Sequence, residues 1–578
     1  MSEVVATGLT GARWRLKPAD EQAAMRLTKY LGLPPLAARA LVCRSLTQVE
    51  EARKFLEDDL EGILDPMQIA DMDRALAAVE AALARGDRIR VYGDYDADGV
   101  CATALLVRAL EGLDGNVDWY IPHRVEEGYG LNEEAIHQAK ADGVALLITV
   151  DCGSTAVAEI DLALDLGVQV VVCDHHRPGR ELPKAPVLNP WRADCPYPFK
   201  ELAGVGVAFK LVSALARARG LPEGSEFRFL DLVCLGTIAD VVPLVGENRL
   251  FVQHGLRALA NSRKLGLRAL MEAADLSGEI ASHQVAFVLA PRINAAGRME
   301  HAQAAVRLLL TRDPAEAAAL AGTLSEQNRL RREEERQTLA EAEELIDGQL
   351  DLSREKVIVL AREGWHPGVI GIVASRLVER YHRPALMIAV AEGVGKGSGR
   401  SVPALNLWEA LGECASLLTH YGGHHYAAGF GLSSEQILPL RRRINEIADS
   451  ALSWDELVRT VELDGVAELA ELSIEAVGEL NRLAPFGMGN PRPLLVSRGL
   501  TLEDVRAVGD GSHLTMRLRS DPKHWVGAVW FRHAEFKERL SDSGRGTVSV
   551  CYRPELDSWN RSLQVRLQIE DIALAGEE

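Results

Sequence analysis

The residues best able to do chemistry lie in three short stretches. GDYDADG (93–99) holds Asp94, Asp96 and Asp98 close together. Like charges so near one another are costly unless cations neutralise them. VDCG supplies Asp151, and CDHH supplies Asp174, His175 and His176. A fourth candidate, Asp240, stands in the apolar stretch LGTIADVVPL. Each has a plainer alternative: a turn decorated with Asp, a helix N-cap at a strand end, a surface His pair and, for Asp240, a helix cap beside Pro243. Carboxylate with imidazole and no thiolate suits hard to borderline cations, and Mg2+ and Mn2+ are the natural choices. Cys152 and Cys173 adjoin the stretches but read as small packing residues. Five or six ligands suit two ions ~3.5–4 Å apart bridged by a carboxylate. Such a pair activates a water and stabilises the leaving oxygen of an in-line displacement at phosphorus.

A parallel sheet would gather these side chains. DRIRVYGD (87–94), VALLITVDCG (144–153) and VQVVVCDHH (168–176) are β-branched apolar runs that end in polar residues. Helical stretches lie between them, VCATALLVRALEGL (100–113) and STAVAEIDLALDLG (154–167). The alternation predicts a doubly wound α/β sheet with its ligands outside the carboxyl ends of the strands. Residues 1–80 and 200–320 read as mainly helical from apolar spacing of three and four. From Glu326 one long charged helix is expected, either a connector between domains or a solvated surface helix. A second α/β region covers about 355–450, with Gly-rich GVGKGSGRS (393–401) and YGGHHYAAGFG (421–431). Beyond 455, short alternating runs such as SHLTMRLRS and HWVGAVWF predict a small β-barrel.

Composition narrows the class. The 578 residues suggest three to four domains, and 47% apolar with 25% charged is ordinary globular usage. No run approaches the ~20 apolar residues of a membrane span, and the N-terminus has no secretory pattern. Eight scattered cysteines without a CxxC pair argue against a zinc ribbon or disulfide framework and fit a reducing cytoplasm. The net charge of −19 taken alone weighs against a polyanion partner, although a local strip of Arg is enough to hold a strand.

The ordered series GDYDADGV, TVDCG, DHH, GTIADVVPL, RINAAGR (292–298), GWHPGVIGIVASR (364–376), GSGRS (397–401) and GGHHYAAGF (422–430) resembles the DHH phosphoesterase superfamily, specifically its bacterial single-strand-specific 5′→3′ exonucleases. PFGMGNPRP (485–493) is similar to the start of their nucleic-acid-binding barrel. The resemblance spans about residues 70–578. After the N-terminal region (1–75), helical by its apolar spacing, it implies a DHH domain (76–320), a connecting helix (321–352), a DHHA1-type domain (353–452) that closes over the site, and an OB-fold domain (453–578). It implies that Asp96, Asp98, Asp151, His175 and Asp240 hold two Mn2+ or Mg2+ ions, with Asp151 bridging. Asp94 would be a further acidic member whose ligand status stays open, and His176 would face the substrate phosphate. Arg292, Asn294 and Arg298 would contact phosphate. Single-stranded DNA would run between the two domains. The implied partners are single-stranded-DNA-binding protein and a RecQ-type helicase, in recombination and mismatch repair, with the enzyme itself a cytoplasmic monomer.

Other motifs fit a bound strand. Lys396, Ser398, Arg400 and Ser401 lie on a Gly-rich stretch that could form an anion nest for a terminal phosphate; the alternative is a flexible hairpin. Gly422, Gly423 and His424 offer a similar role, and His425 is equally well structural. PHRVEEGYG offers His123, Arg124 and Tyr129 for phosphate and base, or is an ordinary loop. In the barrel, Trp525, Trp530, Phe531, Tyr552 and Trp559 interleave with Arg517, Arg519, Arg532, Arg553 and Arg566. That pattern suits a non-specific single-strand groove, with several of the aromatics needed as core. Two competing readings are a DHH hydrolase of short oligonucleotides or cyclic dinucleotides, and a non-catalytic replication scaffold with a decayed DHH core. The added barrel weighs against the first and the full ligand set against the second.

Overall fold

Val- and Ile-rich runs give the first sheet its central strands, buried on both faces. In the computed structural model, which describes residues 4–124, 126–542, 546–557 and 562–575, five parallel strands take the order Asn116–Tyr120, Arg88–Gly93, Val144–Val150, Gln169–Cys173, Val187–Leu188. Helices Ala97–Glu111, Glu133–Ala141 and Val157–Asp165 connect them. The chain order reverses at Arg88–Gly93, which pairs with strands on both sides, so the crevice beside its carboxyl end is the expected ligand position. The helices Gly204–Ala218 and Leu230–Ala239 are buried along almost their whole length and complete this core.

The chain divides into two compact units: Glu57–Arg332 with Ala484–Pro491, and Met1–Leu56 with Glu333–Leu483 and Arg492–Glu578. The second unit contains a mixed sheet in the order His420–Gly423, Ala427–Ser433, Val394–Arg400, Ala385–Ala391, Ile358–Glu363. It also contains a closed barrel. Leu495–Val508 pairs with both His513–Arg519 and Val548–Asp557, and Gln564–Leu574 joins Trp525–Trp530 to Val548–Asp557. Closure removes the free edges that a five-stranded sheet would otherwise expose. Among the described residues no helix is long and apolar enough to cross a membrane, and all eight cysteines are free.

Four expectations need correction. The N-terminal region is not wholly helical. Val4–Thr7 and Arg13–Leu16 form a hairpin, and Arg13–Leu16 pairs in parallel with Thr460–Leu463. Each strand is four residues long and buries one side chain, Ala6 or Trp14, too little for a visible alternation. The long helix begins earlier, at Pro314, and ends at Gln349. Asp313 caps it by accepting from the Ala315 N–H at 2.8 Å, and Pro314 suits a first helical position. Ala317, Ala321 and Leu324 pack in the core of the first unit, and Ala342 and Ile346 in an apolar cluster of the second. GVGKGSGRS is a strand rather than a flexible loop. Gly395, Gly397 and Gly399 are buried, and a Cβ on Gly397 would lie 2.2 Å from the Phe430 ring. The glycines make room for packing across the sheet. Finally, Ala484–Pro491 does not start the barrel but packs within the first unit. The Leu244 N–H donates to the Met488 carbonyl at 2.7 Å, and the Ser282 hydroxyl to the Phe486 carbonyl at 2.6 Å.

Candidate metal centre

Strand register brings the acids together. Gly93 pairs with Val150, and Val150 with Cys173. Asp94, Asp151 and Asp174 therefore stand side by side, each one residue beyond the ladder. Asp151 turns there with φ 61°, a left-handed backbone that Asp tolerates better than most residues. Asp96 caps the helix Ala97–Glu111, accepting from the N–H groups of Asp98 (2.9 Å) and Gly99 (3.1 Å). Asp98, fully buried, accepts from the N–H groups of Gly204 (2.6 Å) and Val205 (2.9 Å) in the first turn of Gly204–Ala218. Asp240 occupies the C-cap position of Leu230–Ala239. The plain reading of Asp240 as a cap is thus correct for its backbone, while its carboxylate reaches towards His175.

Ligand atoms converge in two sets that share no residue: Asp94, Asp96 and Asp151, and Asp98, His175 and Asp240, each set within 4.8 Å. A third set joins Asp151, His175 and His176. His175 Nε2 bridges the first two sets, 3.1 Å from Asp151 Oδ1 and 3.5 Å from Asp240 Oδ2. Asp94 Oδ1, Asp151 Oδ1, His175 Nε2 and Asp240 Oδ2 are buried without a hydrogen-bond partner. Buried polar atoms are normally paired, so four orphans aimed at one space fit divalent cations. The electrostatics agree. Burial, and then the neighbouring Asp side chains, push the Asp94, Asp151 and Asp240 carboxyls well above the usual range, and raise Asp98 to about 7. Burial and the adjacent His176 push His175 down to about 4, which keeps its imidazole neutral and available as a ligand.

Residues 88–237 match the model of the DHH family, N-terminal domain, residues 354–450 the DHHA1 domain, and residues 463–571 the RecJ OB domain. The single-stranded-DNA-specific exonuclease RecJ of Bacillus subtilis is 41% identical over 570 residues, covering 97% of this chain and 71% of that one. The chain belongs to the RecJ family. RecJ of Escherichia coli is 38% identical over 561 residues, 92% of this chain and 95% of that one. The crystal structure of RecJ from Thermus thermophilus in complex with Mn2+ has a TM-score of 0.83 and 35% identity, covering 97% of this chain and 79% of that one. Its Mg2+ complex gives 0.77 and 34%, covering 97% and 78%.

In this RecJ-family chain the other candidate residues are distributed as follows. The Tyr129 hydroxyl donates to the Asp151 carbonyl (3.2 Å) and lies 3.1 Å from His176 Nδ1. It touches the centre with its polar end while the residue stays half exposed. Arg124 stacks 4.8 Å over the Tyr95 ring, and His123 faces His301 at 5.5 Å. Asn294 Oδ1 accepts from the Ala97 N–H at 2.8 Å, which anchors the helix behind GDYDADG. Arg292 donates to the Val288 carbonyl (2.6 Å) and Ser325 Oγ (3.3 Å). The Arg298 charge acts on Tyr95, whose hydroxyl burial pushes up to about 12.

In the second unit Val394–Arg400 is laddered on both sides, so its backbone N–H groups are spent in the sheet and form no nest. Its side chains still gather. Arg400 Nη1 donates to the Gly399 carbonyl (2.8 Å) and Ser398 Oγ (3.3 Å). Both side chains lie against the start of the helix Ile370–Tyr381, where a Cβ on Gly371 would meet Ser398 Oγ at 2.8 Å and Arg400 Nη2 at 3.2 Å. A helix N-terminus beside Arg and Ser is a suitable anion site. Ser401, by contrast, spends its hydroxyl on the Leu405 carbonyl at 2.8 Å. Gly423 turns at φ 141° with a Cβ position only 2.4 Å from the Ala427 carbonyl, and exposed His424 follows it.

Two residues hold the site in ways that sequence reasoning missed. Asp174 accepts from the Ser154, His175 and His176 N–H groups and from His176 Nδ1 at 2.8 Å, which fixes that ring. Burial opposes ionisation of Asp174, but His176 holds its carboxyl well below the usual range. Its signal was its place directly before the two histidines. Gly204 is the other: a Cβ there would lie 2.8 Å from Asp151 Cβ, and the small-residue run AGVG was its only mark.

The raised carboxyls set a pH dependence. An Asp whose folded pKa exceeds its unfolded value, ~3.9, contributes stability below that value and loses it as pH rises through the folded pKa. For Asp98 that window runs from about 4 to about 7. Cations require the ionised form, so their stabilisation grows across the same window. The rise in Tm on adding Mn2+ is therefore expected to be larger at pH 8 than at pH 5. An equal rise at both would refute the electrostatic account.

Proposed function

We propose that this RecJ-family chain is a single-strand-specific 5′→3′ exonuclease that hydrolyses phosphodiester bonds at a two-metal-ion centre and acts in DNA recombination and repair. The observation that carries the reading is the pair of disjoint triads with four orphaned ligand atoms between them. Asp94, Asp96 and Asp151 would hold one Mn2+ or Mg2+ ion, and Asp98, His175 and Asp240 the other. When bound, the two cations would activate the attacking water and neutralise charge on the leaving oxygen.

The chain's own residues do the rest. Asp174 fixes His176 through Nδ1, which leaves Nε2 for the substrate phosphate. Tyr129 packs edge-on against the same ring at 5.5 Å and steadies it. In the second unit Ser398 and Arg400, at the start of a helix, would take a phosphate at or near the 5′ end, with Gly423 and His424 on the neighbouring hairpin. Single-stranded-DNA-binding protein and a RecQ-type helicase are the partners that the family resemblance supports, with the enzyme as a cytoplasmic monomer.

Digestion of 5′-phosphorylated, 5′-blocked and fully duplex oligonucleotides in Mn2+ tests this reading. Preference for the 5′-phosphorylated single strand is expected, and equal digestion of all three removes the end and strand selectivity.

The barrel divides its aromatics clearly. Trp530 and Tyr552 are core, with the Tyr552 hydroxyl 2.6 Å from Ser497 Oγ. Trp525 and Phe531 are exposed, and Arg517 stacks 4.4 Å over Trp525. Arg519, Arg553 and Arg566 pair with Glu503, Glu570 and Asp557, and Trp559 lies outside the described residues. Stacking is worth about 1–3 kcal/mol per base. Trp525→Ala should therefore weaken single-strand affinity about tenfold without unfolding the barrel, whereas Trp530→Ala should destabilise it by about 3–5 kcal/mol. Fluorescence anisotropy and thermal melts separate the two, and an unaltered affinity in Trp525→Ala rules out this face as the binding platform.

A further inference from the structure

A second concave site lies in the first unit, away from the acidic centre. It is an open hollow of about 520 Å3 lined by Arg108, Arg228, Arg263, Lys264 and Arg312, with Asp231 as the one acid among the lining residues. Asp231 is already neutralised, held by Lys264 Nζ at 2.7 and 2.8 Å and by the Ser262 hydroxyl at 2.8 Å. Arg312 meets Glu111 at 2.9 Å, and so exposed a pair contributes little. Arg108 donates through Nε to the Leu309 carbonyl at 2.9 Å, and it lines the hollow together with Arg228 and Arg263. Burial, and then the neighbouring Arg312, lower Arg108 from its usual range, as expected where like charges crowd together. In a chain of net charge −19, such a local concentration of base suits an anion.

We propose that this pocket binds a small ligand carrying two or more phosphate groups, of the class of a nucleoside di- or triphosphate. Its volume lies in the range of small-molecule sites. The guanidinium groups arrive from separate elements, the end of Ala97–Glu111, the turn Ser225–Phe229 and the loops at 261–264 and 311–312, and surround a hollow. A nucleic-acid strand would instead call for cations along a strip. Forked guanidinium donors match phosphate oxygens in pairs, while Ala258 and Leu265 supply an apolar wall for a base or sugar. The pocket is distinct from the acidic centre. Asp98 and Arg108 lie on one helix, which at 1.5 Å per residue sets them about 15 Å apart.

Calorimetry of the full-length protein in EDTA, with ADP and with sodium tripolyphosphate as probes, tests the proposal. Both should bind, and Arg263→Glu/Arg312→Glu should weaken both roughly tenfold or more. Arg400→Gln should leave this binding in place. Hydrogen exchange on the wild-type protein serves as the second measurement and needs no variant: ADP should protect residues 258–265 and 308–312. The proposal fails if neither probe binds, if the double variant binds them as tightly as wild type, or if those segments are not protected. It also fails if the double variant loses affinity for a single-stranded 20-mer while ADP and tripolyphosphate bind unchanged, which would make the pocket a backbone contact for DNA.

Discussion

Asp151→Ala is expected to lower exonuclease activity by more than about 10²-fold in either Mn2+ or Mg2+, because the proposed two-ion centre would fail as a unit. Asp151 belongs to two of the three candidate ligand sets and lies 3.1 Å from His175 Nε2. End-labelled oligonucleotide digestion measures the loss, and electron paramagnetic resonance of added Mn2+ measures occupancy. The stability readout distinguishes Asp151 from Asp98. The Asp98 carboxylate also secures two backbone N–H groups at the start of the helix Gly204–Ala218, so Asp98→Ala leaves buried donors unpaired at about 1–3 kcal/mol each. Asp151 Oδ1 has no such partner, and burial and like charges disfavour its ionised form. In EDTA, Asp151→Asn should therefore melt no lower than wild type while Asp98→Ala melts lower. An Asp151→Ala enzyme that keeps a tenth or more of its activity would remove that residue from the centre.

Gly204→Ala should be nearly as damaging, although Gly204 has no side chain to contribute. One added methyl would lie 2.8 Å from Asp151 Cβ and Oδ1, and Asp151 is already held in a left-handed turn. The carboxylate must move by some tenths of an ångström to an ångström, a displacement that costs on the order of 10²-fold in an oriented site. Gly206→Ala is the control. On the same helix, its Cβ would meet the Leu202 side chain just before the helix at 3.4 Å, ordinary apolar contact. Mn2+ titration of both variants decides the matter: weaker binding in Gly204→Ala with near-normal binding in Gly206→Ala is expected, and equal affinities would show that the carboxylate has room to adjust.

The acidic and imidazole residues were legible because strand ends announce themselves: an apolar run stops at Gly93, Val150 or Cys173, and a ligand-type residue follows. Asp240 was visible only as an acid in an apolar stretch, since it reaches the centre from a helix end with no periodic signal. The Gly-rich run 393–401 misled for a physical reason. Glycine permits both a phosphate loop and a strand under a large ring, and only Phe430, some thirty residues later, selects the strand. The roles of Asn294 and Arg292 were equally hidden, because tertiary proximity to Ala97 and Val288 decides what their polar groups bond.

The docking of Ala484–Pro491 bears on how fragments of this protein are to be cut. The Leu244 N–H, four residues after Asp240, finds its acceptor on Met488. A truncation ending at Leu483, intended to strip off the barrel alone, would therefore leave a main-chain donor beside the acidic centre without its partner and uncover the apolar turn at Pro243. An inactive fragment of that kind would say nothing about whether the barrel contributes to turnover. One that runs through Pro491 keeps the first unit whole, and it is the difference between that fragment and the full-length protein that measures what the barrel adds.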